Sequence, residues 1–279
     1  MLEMKDYYPA LHGAATDKLA LLCGQKGEAD IFTGRRTVTG NGLTLELGQE
    51  PLHISTHKLL FAAVTVFTRN TAEISVSFTL REYAALLGSG SGKTQLDNLR
   101  RTVSRDLKIL SEITLSWEET IGGRTESFKG VRLFESCSLH WGTVSLTFTE
   151  CFAAYLVSRP LTQYPRVLFT VDERSRSCYT IGLKLALHAF NKGLIAKGTA
   201  GSLRVRSLLK WSALPDIDTI RKRRNGFNKK IRIPFEQALH DLGKCGLLTR
   251  FGYRSPPPEP CDYSLRTEQI IDFEMPELS

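Results

Sequence analysis

The sequence predicts an α+β chain, mainly helical, made of two tandem winged helix-turn-helix domains preceded by an N-terminal β arm. Three observations carry this expectation. A helix, short strand, helix, longer helix and hairpin follow one another between residues 55 and 148, the same order recurs after residue 172, and both copies carry a run of Lys and Arg on the third helix. A length of 279 residues accommodates two domains, each large enough for its own core. The boundaries read as 1–50 for the arm, 51–150 for the first domain, 151–171 for a connector, 172–267 for the second domain and 268–279 for an acidic tail.

In the arm, TVTGNGLTLEL places a Gly-Asn-Gly turn between short stretches of alternating polarity, which spells a small hairpin. The first domain opens with a helix capped by Ser55 or Thr56, whose Leu59, Leu60, Ala63, Val64 and Phe67 form one apolar stripe to about Arg69. ISVSF (74–78) reads as a short strand by its alternation and β-branching. Thr79 followed by Glu82 is a capping box, so REYAALL continues as a short helix ended by Gly88. The longer helix spans about Thr94 to Ser111, because Leu96, Leu99, Val103, Leu107 and Leu110 fall within an arc of roughly 80° at 100° per residue. The opposite face presents Thr94, Asn98, Arg101, Arg105 and Lys108. ITLSWEE (113–119), the turn Gly122-Gly123 and SFKGVRLF (127–134) read as the hairpin wing, extended by VSLTF (144–148).

In the second domain a helix from Asp172 or Ser175 to Asn191 carries Tyr179, Leu183, Ala186, Leu187 and Phe190 on one side. Ser202 is read as the cap of a short helix, LRVRSLLKW. Asp216 caps a long pattern in which Ile217, Ile220, Phe227, Ile231, Phe235, Ala238 and Leu242 stay in phase, while Gly226 and Pro234 predict a break near Ile233. LLTRFGYR (247–254) and DYSLRT (262–267), joined by SPPPEP, read as the second wing.

The formal charge is +8 and the isoelectric point about 9.2. Between Gly201 and Arg254 thirteen bases stand against four acids, an excess larger than that of the whole chain. The remainder is close to neutral, apart from a weaker basic stretch at 93–108 and the acidic end with Glu268, Asp272, Glu274 and Glu277. Two basic clusters on equivalent elements point to a polyanion, and on helices of this kind to duplex DNA.

Other classes fare worse. The longest apolar run, LLFAAVTVF (59–67), is about half of what a membrane span needs, and the N-terminus is acidic where a signal peptide is basic, so no membrane partner and a cytoplasmic location are expected. Six scattered cysteines with no CxxC pair read as reduced thiols, and no metal and no cofactor are expected. Gly88-Ser-Gly-Ser-Gly-Lys-Thr94 imitates a phosphate-binding P-loop, but Leu87 stands where that motif needs its first glycine, and a helix precedes it. His53 and His57 straddle a helix start and do not share a face. With no catalytic set of residues, binding rather than enzymatic activity is expected, a P-loop NTPase remaining a secondary alternative.

The candidate DNA-binding residues follow from the two helices. In the first domain they are Lys93, Thr94, Asn98, Arg101, Arg105 and Lys108, with Asn98 and Arg101 suited to base edges, since Asn pairs with adenine and Arg with guanine bidentately. In the second they are Arg221, Lys222, Arg223, Arg224, Asn225, Lys229 and Lys230, with Gln237, His240 and Lys244 on the same side, and Arg250 and Arg254 in the wing. Removing Arg221 to Arg224 is expected to cost more affinity than removing as many charges elsewhere.

FTLREYAALLG followed by QLDNLRRTVSRDLKILSEI, together with NKKIRIPFEQALHDLGKCGLL, resembles plasmid replication initiators of the theta type built from two winged-helix domains, over about residues 55–267. The resemblance implies sequence-specific binding of double-stranded DNA at repeated origin sites, recruitment of the host replication initiator and the replicative helicase, no ATPase activity, and a homodimeric form. The N-terminal arm and the Pro-rich second wing depart from the simplest pattern of that family. A transcriptional repressor or partition protein with the same modules is the alternative.

Overall fold

The N-terminal fifty residues do not stand apart as an arm. In the computed structural model, which describes residues 7–11, 13–25, 27–30, 33–121, 123–191, 200–215, 226–255 and 268–275, their hairpin belongs to a five-stranded sheet, the largest among the described residues. The chain divides into two units, residues 1–162 and 163–279. No helix among the described residues is long and apolar enough to cross a membrane.

The first unit contains β1 (Tyr7–Leu11), α1 (Ala14–Leu22), β2 (Glu28–Ala29), β3 (Arg36–Gly40), β4 (Leu43–Leu47), α2 (Ile54–Arg69), β5 (Ser75–Thr79), α3 (Leu80–Leu86), α4 (Lys93–Glu112), β6 (Thr114–Ile121), β7 (Arg124–Arg132), β8 (Phe134–His140), β9 (Thr143–Phe148) and α5 (Glu150–Val157). β10 (Leu161–Pro165) spans the boundary between the units. Strands β2-β3-β4-β6-β7 form one antiparallel sheet in that order, and β5-β9-β8 form another. Leu43, Leu45 and Leu47 alternate inward on β4, and β6 pairs with that strand so that Leu45 meets Leu115 and Leu43 meets Trp117. Helix α1 covers β3, β4 and β6.

These pairings correct the expected fold. The chain is not plainly a pair of winged helix-turn-helix domains with a free β arm: among the described residues thirteen strands, arranged in several sheets, stand beside the helices. The segment read as a wing, β6 and β7, is claimed by β4, because the apolar faces of both need one common core. VSLTF does not extend that hairpin; as β9 it sits between β5 and β8 in the other sheet.

Local signals fare better. Thr79 caps α3 with both halves of the capping box formed: its hydroxyl accepts from the Glu82 backbone N–H at 3.1 Å, and the Thr79 N–H donates to the Glu82 carboxylate at 2.7 Å. The β3–β4 turn is Asn41-Gly42, both in the left-handed region at φ 55° and 71°. On α4, Val103, Leu107 and Leu110 are buried with Ile109, while Lys93 and the polar face stay outside.

The second unit contains α6 (Val167–Thr170), α7 (Arg176–Asn191), β11 (Ala200–Arg204), α8 (Val205–Lys210), a π-helical turn at Asn228–Arg232 that runs into α9 (Ile233–Lys244), β12 (Arg250–Tyr253) and β13 (Ile270–Glu274). In place of the kink or break expected near Ile233, the chain stays helical: a π-helical turn ends at Arg232 and Pro234 lies in the first turn of α9. The antiparallel sheet runs β11-β13-β12. Ser202 is therefore a strand residue rather than a helix cap. Residues 270–274, read as part of an acidic tail, form the middle strand, with Ile271 and Phe273 facing inward and Asp272 between them facing out. Of the expected second wing, LLTRFGYR supplies β12, which pairs with β13, and DYSLRT lies outside the described residues. Helices α7 and α9 approach closely at Gly182, where a β-carbon would lie 2.8 Å from Leu242 Cδ2 and 3.0 Å from Leu247 Cδ2.

Candidate nucleic-acid interface

Helix α4 starts from a glycine turn. Gly88 leaves α3 at φ 66°, and Gly92 sits at the N-cap of α4, its N–H donating to Gln95 Oε1 at 3.0 Å. The glycine-rich segment thus joins two helices, where a P-loop follows a strand. From this start Lys93, Thr94, Asn98, Arg101 and Lys108 are all exposed. Among the described residues Lys93, Arg101 and Lys108 have no ion pair. A helix with a buried apolar face and an exposed face of three cations, an amide and a hydroxyl offers hydrogen-bond donors and positive charge along about four turns.

Arg105 differs from the rest of that face. Its Nη2 donates to Ser55 Oγ at 2.7 Å and to Asp106 Oδ1 at 2.9 Å, and its Nε donates to the same oxygen at 3.2 Å. Asp106 is 1% exposed and also accepts from Thr56 Oγ1 at 2.8 Å. The guanidinium therefore ties α4 to the first turn of α2, and 40% of its side chain still faces solvent. All three donors converge on Oδ1, and removing the guanidinium leaves this buried charge with the Thr56 hydroxyl alone.

One neighbour of this face has no signal in the sequence. Arg35, Lys108 and Arg132 line a polar groove of about 660 Å³ together with Glu50 and Glu112. Arg132 also donates to the Ser111 carbonyl at 3.3 Å. These cations are far apart in the chain, Arg35 just before β3, Lys108 on α4 and Arg132 on β7, and the β3-β4-β6-β7 order of the sheet brings the strand ends together beside α4.

In the second unit Arg221, Lys222, Arg223, Arg224 and Asn225 lie outside the described residues. Lys229 and Lys230 are exposed on the π-helical turn, and Gln237, His240 and Lys244 share the exposed side of α9. Part of this side is already engaged. Gln237 donates to Asp241 at 2.8 Å, Lys244 pairs with the same carboxylate at 3.6 Å, and His240 lies edge-on to Phe251 with ring centres 5.1 Å apart. Arg250 is exposed on β12.

Arg254 is clamped by Asp272: Nη2 donates to Oδ1 at 2.7 Å and Nε to Oδ2 at 3.2 Å, with a further bond from Nη2 to Ser202 Oγ at 2.8 Å. The hydrogen bonds from Arg254 and Ser202 hold the Asp272 carboxyl below its usual range, and Asp272 in turn raises Arg254. Arg204 and Arg206 both reach Glu268, at 3.2 and 3.6 Å. The acidic end of the chain thus neutralises part of the basic region, which a count along the sequence cannot reveal.

The histidine pair is not a ligand set. His57 is 2% exposed and its Nε2–H donates to the Thr16 carbonyl at 2.9 Å; burial lowers its pKa. His53 occupies the N-cap of α2. Among the described residues no cluster of three or more His, Cys, Asp or Glu is placed to hold a metal. Among the described residues Cys137, Cys151, Cys178 and Cys245 form no disulfide, and burial pushes the Cys137 and Cys178 thiols up to about 12.

No family model matches the chain, and no curated protein matches it. Among solved structures it is similar to a selenomethionine crystal structure of domain 2 and domain 3 of RctB, at 9% identity and a TM-score of 0.50, over 96% of this chain and all 100% of that one. A second crystal structure of RctB domains 2-3 aligns at 9% identity and a TM-score of 0.46, over 94% and 96% of the two chains. The first of these comparisons establishes a likeness of fold.

Proposed function

We propose that this chain binds double-stranded DNA sequence-specifically and initiates plasmid replication in the cytoplasm, by occupying repeated origin sites and recruiting the host replication initiator and the replicative helicase. The observation that carries the DNA-binding part is the exposed face of α4, where Lys93, Thr94, Asn98, Arg101 and Lys108 stand opposite a buried apolar face. In this reading α4 enters the major groove. Asn98 and Arg101 address base edges, and Lys93, Thr94 and Lys108 address phosphates. The groove cations Arg35 and Arg132 extend the phosphate track beyond the end of the helix.

In the second unit Arg221 to Arg224, Lys229, Lys230 and Arg250 supply the second contact. Arg254 contributes less, because Asp272 already holds it. The choice of the initiator role over a repressor or partition role rests on the resemblance of FTLREYAALLG, QLDNLRRTVSRDLKILSEI and NKKIRIPFEQALHDLGKCGLL to plasmid replication initiators, while the likeness to domains 2 and 3 of RctB is one of fold. Footprinting on DNA flanking the gene tests the reading: protected repeats spaced by helical turns are expected, and an absence of protection overturns it. Loss of plasmid maintenance when those repeats are deleted then separates an initiator from a repressor.

A further inference from the structure

The β8–β9 turn carries a residue its geometry does not favour. Trp141 and Gly142 both lie in the left-handed region, at φ 49° and 81°. The β3–β4 turn has the same backbone, at φ 55° and 71°, and there the chain uses Asn41-Gly42, the pair that such a turn selects. A β-carbon bearing an indole is strained in this conformation, and Trp141 gains no burial in return: it is 92% exposed.

The position is also rigid. The Gly142 carbonyl accepts from the Leu80 N–H at 2.8 Å, and the ladder Thr79↔Thr143, Phe78↔Val144 fixes the turn beside the start of α3. Arg81, the next residue of α3, is exposed, and His140 lies edge-on to the indole with ring centres 5.5 Å apart. The strand residues leading into the turn on its outer side are polar: Ser136, Ser138 and His140 on β8 are exposed, and Thr143 and Ser145 follow on β9.

We propose that Trp141 is a stacking platform for an unpaired nucleobase. A protein-binding hot spot sits within a ring of neighbours that exclude water, which this polar tip does not supply. A fixed aromatic face in polar surroundings, beside the helix start that carries the exposed Arg81, suits a nucleobase, and every base has a π-face to offer. In a duplex those faces are covered by adjacent pairs, so the ligand is a base that has left the stack. The inference rests on the DNA-binding reading above and adds single-stranded DNA to the duplex as ligand.

The full chain, as wild type, Trp141→Asn and Trp141→Phe, is titrated at about 50 mM salt with a 30-nucleotide oligothymidylate and with a 40-base-pair mixed-sequence duplex. Trp141→Asn restores the ordinary turn residue, so its melting temperature is expected to equal or exceed that of the wild type. It is expected to weaken oligothymidylate binding at least about fivefold while duplex affinity stays within about twofold, and Trp141→Phe is expected to retain most of the binding. Oligothymidylate bound equally by wild type and Trp141→Asn overturns the inference, as does a wild type that binds duplex alone. A wild type that binds neither probe overturns the DNA-binding reading itself. A Trp141→Asn chain that keeps both nucleic acids and loses a protein partner assigns the indole to that protein and overturns the inference.

Discussion

Arg254 and Asp272 meet in a two-point ion pair at 2.7 and 3.2 Å, and Ser202 binds both of them. The pair joins the most basic stretch of the sequence to its acidic end. Asp272→Asn is expected to release the guanidinium, raise duplex affinity two- to threefold at about 50 mM salt, and steepen the salt dependence by about 0.9 in the logarithmic slope. Filter binding across a salt series checks this. Titration acts in the same direction only in acid: with the carboxyl held below its ordinary value of 3.8, the pair is intact above that pH and is lost as the pH falls through the lowered value.

Arg101 and Arg105 are one turn apart on α4 and are expected to respond oppositely. Arg101 is exposed with no ion pair, so Arg101→Ala is expected to weaken DNA binding by about 1–3 kcal/mol and leave the melting temperature unchanged. Arg105→Ala strips a buried aspartate of a partner and is expected to destabilise the fold by about 1–3 kcal/mol, seen as a lower midpoint in urea. Equal melting temperatures for both variants contradict this division.

Gly182 on α7 packs against Leu242 of α9 with no room for a side chain. Gly182→Val places new atoms against Leu242, Leu247 and Leu168, all within 3.1 Å of the added β-carbon. A loss of about 1–3 kcal/mol is expected from overpacking, and a chain as stable as the wild type in chemical denaturation contradicts the packing described.

His57 gives the first unit a defined response to acid. Its pKa is lowered, foremost by burial, so the unfolded chain takes up the proton first as the pH drops. The stability this group contributes is complete above its ordinary value of 6.5 and declines as the pH falls from there towards the lowered value. His53 shifts in the same direction, through burial and then Arg105. Melting temperatures of wild type and His57→Gln between pH 7.5 and 5.5 are expected to show a smaller decline in the variant.

The elements legible in the sequence are those set by neighbours along the chain. Thr79 and Glu82 specify their cap within one turn, Asn41-Gly42 specifies its hairpin, and the leucines of α4 specify which side stays wet. What the sequence does not reveal depends on partners chosen across the chain. The apolar alternation of β6 and β7 is the same whether they form a free wing or pair with β4; the choice rests on Leu43 and Leu45 needing cover. The candidate site divides along the same line. The exposure of Asn98 and Arg101 follows from helical phase, whereas the tether of Arg105 to Ser55, the groove shared by Arg35 and Arg132, and the capture of Arg254 by Asp272 arise from tertiary contacts.

The central claim is that the exposed face of α4 holds duplex DNA. Its most direct test is the equilibrium affinity of the wild-type chain and of the Asn98→Ala/Arg101→Ala double variant for footprinted duplex and for unrelated duplex, measured from 50 to 300 mM salt. The account predicts wild-type affinity that falls steeply with salt, and a variant that loses roughly tenfold or more on the footprinted site and much less on unrelated DNA. Affinity independent of salt, or a variant that binds both duplexes as the wild type does, contradicts it.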